Sequence, residues 1–163
     1  LVNRSTRILL TAAAFAALST PTAAQEMGTI DAALLFRYSQ LDDNAAAEAG
    51  IGFSGRLGAF LWRNVALEAT HAGSKTSDSP EARQSSLHLH LTRHFPFNEG
   101  WTGIIGAGWV RDRTNAVAPT GLLESDGASL VAGLQRNFTE RVGLRVDAIY
   151  DYIPVARYTG PSE

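Results

Sequence analysis

"SSLHLHLTRHFPF", residues 85–97, sorts two kinds of side chain by strict alternation. Leu87, Leu89 and Leu91 occupy every second position, with histidines between them. Because successive side chains of a β-strand point to opposite faces, this stretch predicts a strand with one apolar and one polar face. Which of the two faces is buried decides what kind of all-β protein the chain forms.

The composition limits the function classes. The chain has 163 residues, enough for one domain, and 14 Lys and Arg residues against 16 Asp and Glu residues, for a net charge of −2. This balance gives no electrostatic argument for a nucleic-acid partner. Cysteine is absent, which excludes disulfides and thiolate metal sites.

The N-terminus has the order of a secretory leader. Arg4 and Arg7 precede an apolar stretch, and small residues follow in "STPTAAQ". A charged region, an apolar region and then small residues are typical of a cleavable signal peptide. We expect residues 1–24 to form this leader, cut after Ala24, and residues 25–163 to form the exported domain.

From Gly28 onwards the chain alternates in short segments joined by polar connections. The seven segments are "IDAALLFRYS" (30–39), "IGFSGRLGAFL" (51–61), "VALEATH" (65–71), "SSLHLHLTRHFPF" (85–97), "WTGIIGAGWV" (101–110), "SLVAGLQRNF" (129–138) and "VGLRVDAIYDY" (142–152). The sequence therefore predicts an all-β fold of antiparallel up-and-down strands.

The connections alternate in length. "WRN", "PFNEG" and "TER" are short, whereas "QLDDNAAAEAG", "AGSKTSDSPEARQ" and "DRTNAVAPTGLLESDG" are long. Short turns at one end and long polar loops at the other are typical of outer-membrane barrels. A soluble meander has no reason to keep this order.

Aromatic residues cluster at the two ends of the predicted strands. Trp62, Phe95, Phe97, Trp101 and Phe138 lie near the short turns, and Tyr38, Trp109, Tyr150 and Tyr152 lie near the long loops. Two aromatic belts around an aliphatic band indicate a transmembrane β-barrel whose apolar face meets lipid. This pattern favours the membrane barrel over a soluble secreted barrel that buries its apolar face.

"GIIGAGWVRD" (103–112) and "VAGLQRNFTERVGLRVDAIYDY" (131–152) carry a family resemblance. The first resembles the fifth strand of barrels of the outer-membrane protein A transmembrane-domain type, and the second resembles their sixth strand, tight turn and seventh strand. The resemblance covers about residues 28–158. It implies an eight-stranded outer-membrane barrel with a structural, adhesive or narrow-pore role.

The chain departs from that family after the seventh strand. "IPVARYTGPSE" (153–163) reads as the start of a fourth long loop, so only seven of the eight strands are visible. A seven-stranded sheet in lipid leaves unpaired backbone groups on its two edge strands, and each costs several kcal/mol. Bacterial barrels also have even strand numbers. We expect a truncation at Glu163 or a product that is not a functional barrel by itself.

The predicted inward positions are polar. The expected lumen network consists of Arg37, Arg56, Glu68, His88, His90, Gln135, Arg145 and Asp147. Opposite charges away from water must pair, so Arg56, Glu68, Arg145 and Asp147 should form linked ion pairs. Packing is favoured over a pore gate, because a narrow barrel is filled by its own side chains in any case.

The histidines also allow a metal or catalytic interpretation. His88 and His90 lie about 6.8 Å apart along one strand, but no third ligand is set by the sequence, and His94 falls nearer the rim. We therefore predict lumen packing and no metal. There is no G-x-S-x-G motif and no His-x-Ser pair of a lipid deacylase, and "THAGS" (70–74) has the wrong spacing. The long loops carry Asp42, Asp43, Asp78, Glu124 and Asp126, which we interpret as solvated charges rather than a calcium site.

These observations predict a non-catalytic protein of the bacterial outer membrane with a structural or surface-interaction role and no cofactor. Its expected partners are outer-membrane lipid and host or cell-surface ligands at the long loops, not nucleic acid. Three alternatives stay open: a narrow porin for small solutes, an outer-membrane lipid-modifying enzyme using His88 or His71, and a soluble secreted lipid-binding barrel.

Overall fold

The computed structural model describes residues 5–13, 27–39, 50–76, 83–98, 100–115, 122–139, 142–153 and 157–159. Within these ranges every regular element is a β-strand, as the alternation predicts. The strands are β1 (Ser5–Ala13), β2 (Ile30–Ser39), β3 (Gly50–Trp62), β4 (Val65–Thr76), β5 (Arg83–Asn98), β6 (Trp101–Asn115), β7 (Leu122–Asn137), β8 (Gly143–Ile153) and β9 (Arg157–Thr159).

Strands β2 to β8 form an antiparallel up-and-down meander in which each strand pairs with the next along the chain. The ladders run through whole strands, for example from Ile30 opposite Ala59 to Ser39 opposite Gly50 between β2 and β3. The prediction of seven antiparallel up-and-down strands is confirmed. Passage of these strands through a membrane, and closure by an eighth strand as in the resembling family, stay predictions.

The N-terminal strand extends the sheet beyond the meander. β1 pairs antiparallel with β8, from Ser5 opposite Ile153 to Ala13 opposite Arg145. These residues belong to the segment expected to be a leader. The expected cut after Ala24 lies outside the described residues, so the leader stays a prediction.

The last strand corrects the interpretation of "IPVARYTGPSE" as a loop. β9 pairs with β7, with Arg157 opposite Glu124. β8 pairs with the same edge of β7 up to Tyr152 opposite Ala128. β9 therefore continues along that edge with its register shifted by one residue. Three residues are too few for alternation to reveal a strand.

The strands also extend further into the long connections than alternation predicts. β6 reaches Asn115 and β7 begins at Leu122, so most of "DRTNAVAPTGLLESDG" is a hairpin. β4 reaches Thr76 and β5 begins at Arg83. Both faces of these extensions carry mainly polar residues, so the alternation fades while the backbone ladder continues.

The predicted short connections are turns at one end of the sheet. Asn64, between β3 and β4, has a φ of 62°, and Gly100, before β6, has a φ of 78°. Asparagine and glycine are the residues that tolerate this left-handed backbone best. The β7–β8 turn is closed by the N–H of Phe138, which donates to the carbonyl of Val142 at 2.9 Å. The connections at the opposite end contain residues 40–49, 77–82 and 116–121, which lie outside the described ranges.

The sheet curls until the inner faces of distant strands meet. Arg56 on β3 reaches Asp147 on β8, and His88 on β5 reaches Asp151 on the same strand. Along β8 shielded and more exposed residues alternate one by one. The polar face is the concave, buried one, and the apolar face is the convex, exposed one.

Candidate functional site

The concave side of the sheet is lined by polar and charged side chains that are shielded from solvent. Each of these residues is at most 8% exposed. They are Asp31, Ser54, Arg56, Glu68, Thr70, Ser74, Gln84, Ser86, His88, His90, Thr92, His94, Asp112, Ser125, Ser129, Gln135, Arg145, Asp147 and Asp151. Such residues are seldom buried unless they are paired, so their partners matter.

Five charged side chains form one chain of ion pairs across this interior. Arg56 lies 3.4 Å from Asp31 and 3.4 Å from Asp147. The Nε of Arg145 donates to Asp147 at 2.7 Å, and its two terminal nitrogens donate to both oxygens of Glu68 at 2.9 and 3.0 Å. A bidentate arginine–carboxylate pair is among the stronger charged hydrogen bonds. The chain ties together β2, β3, β4 and β8.

Gln135, His88 and His90 of the expected lumen network make other contacts on the concave side. Gln135 is opposite Arg145 in register, but its Nε2 donates to the side-chain oxygen of Asn137 at 2.7 Å. The side chain of Arg37 lies outside the described part of the chain. Arg56 is opposite Thr70 in register, and its ion pairs are with aspartates of other strands.

Glu68 also contacts two side chains of β5. The hydroxyl of Thr92 donates to Oε1 of Glu68 at 3.0 Å, and Nε2 of His94 lies 3.3 Å from the same oxygen. The His94 ring meets the Phe60 ring edge-on, with centroids 4.9 Å apart. His94 therefore takes part in the ion-pair chain, and Phe60, which is 2% exposed, fills the interior beside it.

Two glycines make room for two of the carboxylates in these ion pairs. A Cβ atom at Gly58 would overlap the carboxylate of Asp31, and one at Gly133 would overlap that of Asp147. The absence of a side chain at these inward positions lets the two aspartates lie against the backbone of the neighbouring strand.

A second polar cluster joins β5, β7 and β8. The Ser129 hydroxyl donates to Oδ1 of Asp151 at 2.5 Å, and Nε2 of His88 lies 3.0 Å from Oδ2 of Asp151. Nε2 of His90 lies 2.9 Å from the Ser129 hydroxyl oxygen. Since the hydroxyl proton is directed at Asp151, His90 is the donor to Ser129. A catalytic triad needs the opposite order, with a carboxylate orienting the histidine that takes the serine proton.

The geometry of His88 and His90 is not that of two ligands of one metal ion. Its rings are stacked with centroids 5.6 Å apart, and the two Nε2 atoms meet different acceptors. Within the described ranges, no group of three or more His, Cys, Asp or Glu side chains is placed to hold a metal ion.

Little space remains between the interior side chains. The cavity bordered by Glu68, His90 and Arg145 has a volume of about 10 Å³. That is about the space of a single water molecule. Around this cavity the described interior is a closely packed core of mainly polar side chains.

The convex side carries the aromatic residues expected in two belts. Trp62, Phe95, Phe97, Trp101 and Phe138 lie toward the turns, and Tyr38, Trp109, Tyr150 and Tyr152 lie toward the other end. Exposed aliphatic residues lie between them, including Leu34, Leu57, Leu67, Leu89, Leu130 and Val146. Arginines border the aromatic rings near the turns: Arg136 lies 5.3 Å from the Trp101 ring centre, and Arg93 lies 5.3 Å from that of Phe95.

Beyond the aromatic residues of β6, the convex side becomes charged. Arg111 donates to Asp126 at 3.0 Å, and Arg113 donates to Glu124 at 3.1 Å. The hydrogen bond to Asp126 raises the pKa of Arg111. Glu124 and Asp126 belong to β7 and not to a loop, and they lie on the exposed side, where both pair with arginines across the hairpin. Asp42, Asp43 and Asp78 lie outside the described residues.

Compared with protein-family models, with curated proteins and with solved structures, the chain gives no match in any of the three. A helix long and apolar enough to cross a membrane does not occur in the part of the chain that the structure describes.

The sequence did not identify the partners of several interior residues. Asp31, Thr92, His94, Ser129 and Asp151 each complete a polar cluster. Their inward positions could be read from the alternation, which is the only signal available. Their contacts depend on how far the sheet curls, because many of them join strands that are not neighbours.

Proposed function

We propose that this chain is a bacterial outer-membrane β-barrel protein with a structural or surface-interaction role and no catalytic activity. The supporting observation is that charged side chains are buried and large apolar side chains are exposed, the opposite of the arrangement in a water-soluble protein. Glu68 and Arg145 are 2% and 5% exposed, whereas Leu34 and Phe53 are 68% and 70% exposed. In water such an apolar surface is unfavourable, whereas in hydrocarbon it is the stable arrangement.

The extent of the apolar face supports a membrane crossing. Outward positions are apolar or glycine from Ile51 to Leu61 on β3, and they are apolar from Leu144 to Tyr152 on β8. A tilted transmembrane strand needs about 9–11 residues. The aromatic belts and the arginines beside the rings are those expected where a strand leaves the hydrocarbon for the headgroups.

The packed interior supports a structural role over transport or catalysis. The ion-pair chain fills the concave side and leaves a void of about 10 Å³, which is too small for a solute path. The narrow porin and the lipid-modifying enzyme are therefore less well supported. In this proposal lipid covers the convex side, the leader directs export, and surface ligands meet the end of the sheet where Arg113 and Glu124 lie.

A charge on the lipid-facing side tests the proposal. Leu89→Arg places a guanidinium in the aliphatic band of β5, and Ser85→Arg is the matched control on the same face, four residues nearer the polar end. We expect Leu89→Arg to weaken folding into phospholipid vesicles by about 2–4 kcal/mol and Ser85→Arg by about 0–1 kcal/mol. Urea titration of folding in vesicles measures both.

A soluble protein behaves differently in this test. Because Leu89 is 40% exposed, its replacement on a water-facing surface would change stability by at most about 0.5 kcal/mol. Equal effects of the two arginines, or recovery of the native chain in the aqueous phase after detergent extraction, would contradict the membrane proposal.

A further inference from the structure

The N-terminal strand pairs with one edge of the seven-strand meander and comes near the other. β2 lies at one edge of the meander and β8 at the other. β1 pairs with β8 at every position from Ser5 to Ala13. Cα atoms of β1 also approach those of β2 to within 8 Å. Among the described strands, β1 thus has a backbone ladder with β8 and comes near the free edge of β2.

The register of β1 matches the polar inner face of β8. Arg7 is opposite Asp151, and Leu9 is opposite Ile149. Asp151 and Ile149 are both buried on the concave side. An arginine therefore stands at the register position of a buried carboxylate, and a leucine at that of a buried isoleucine.

The register matches the outer face equally well. Ile8 is opposite Tyr150 and Leu10 is opposite Ala148, and both β8 residues are exposed on the apolar convex side. A slip of one residue would place each residue of β1 opposite the other face of β8. The observed register places Arg7 and Thr11 level with the inner-face aspartates of β8, and Ile8 and Leu10 level with its outward residues.

We propose that Ser5–Ala13 is the closing strand of the barrel in the uncut chain. Removal of this segment with the leader, a step that rests on the proposed export signal, then uncovers the edge of β8 with which β1 pairs. An unpaired strand edge costs several kcal/mol for each backbone group in hydrocarbon and is a template for another strand.

Disulfide trapping tests the position of the strand, since the chain has no cysteine of its own. Leu10, Ala148 and Ala132 lie at one level on β1, β8 and β7, as successive register partners. We would replace them in pairs by cysteine in the full chain, refolded into detergent micelles with residues 1–24 retained, and oxidise with copper phenanthroline.

The expected result is cross-linking above background of both the Leu10→Cys/Ala148→Cys pair and the Ala132→Cys/Ala148→Cys pair, at rates that differ because one is a hydrogen-bonded and the other a non-hydrogen-bonded pair. The Leu10→Cys/Ala132→Cys pair should stay at background, because next-but-one strands are about 9.6 Å apart and a disulfide needs Cβ atoms within about 4.5 Å. Cross-linking of 132 with 148 but not of 10 with 148 shows a folded sheet without β1 and overturns the proposal. This result would leave the vesicle test of the membrane proposal unaffected.

Discussion

Glu68 shows how one buried carboxylate organises the interior. It receives two hydrogen bonds from Arg145 and one from Thr92, and it lies beside His94. An arginine that loses its carboxylate inside a protein keeps the cost of desolvation without its compensation. Replacement of Glu68 should therefore lower the free energy of unfolding far more than replacement of a paired glutamate on the surface.

We expect Glu68→Gln to lower the free energy of unfolding by about 3–5 kcal/mol. Glu124→Gln is the matched control, because Glu124 is also paired with an arginine but lies on the exposed side of the hairpin. Its expected cost is about 0–1 kcal/mol. Urea unfolding in detergent, followed by tryptophan fluorescence, measures both variants. Similar losses of unfolding free energy for the two variants would show that the buried ion pairs contribute no more to stability than the exposed one.

At the scale of single elements, the tight turns hold the meander in register. Asn64 connects β3 to β4 with a φ of 62°. A β-branched side chain is strained in this conformation, whereas glycine adopts it freely. Register in a hairpin follows from its turn, so strain here acts on the pairing of both strands.

Asn64→Val should therefore lower the free energy of unfolding by about 1–2 kcal/mol, and Asn64→Gly should leave it nearly unchanged. The comparison of the two urea midpoints removes the effect of losing the asparagine side chain itself. Equal midpoints for valine and glycine would mean that the turn relaxes to another conformation.

Alternation predicted the strands well where the two faces differ in polarity, and poorly where they do not. β8 alternates from Gly143 to Ile153, and the sequence predicts it to within one residue at each end. The upper parts of β6 and β7 carry polar residues such as Arg111 and Asp126, which pair across the hairpin. Backbone hydrogen bonds and these cross-strand ion pairs hold the two strands together there, and neither produces an alternation of polar and apolar residues in the sequence.

At the scale of the whole molecule, the question is whether the curled sheet encloses a path. The bridge from Arg145 to Glu68 crosses the interior between β8 and β4. The cavity beside this bridge, of about 10 Å³, is too small for a hydrated ion. The native chain should therefore show no steady conductance in a planar bilayer.

Removal of both side chains of this bridge should open a path. We expect the Glu68→Ala/Arg145→Ala variant to conduct. The Arg111→Ala/Asp126→Ala variant, which removes an arginine–carboxylate pair from the exposed side, should not conduct. Single-channel recording in planar bilayers distinguishes the two variants. Conductance by the native chain would contradict the packed-interior account and favour the narrow porin.

The sequence by itself determined the all-β class, the seven strands of the meander and the face on which each residue lies, because a period of two is a local property of the chain. It also grouped Arg56, Glu68, Arg145 and Asp147 on the inner face. Only the tertiary structure decided which atoms pair there, since Arg56 meets Asp147 and His88 meets Asp151 across a curl that brings distant strands together. The pairing of β1 with β8 and of β9 with β7 was decided in the same way. Backbone hydrogen bonds between distant segments depend on the position of free strand edges in space, and alternation along the chain does not encode that position.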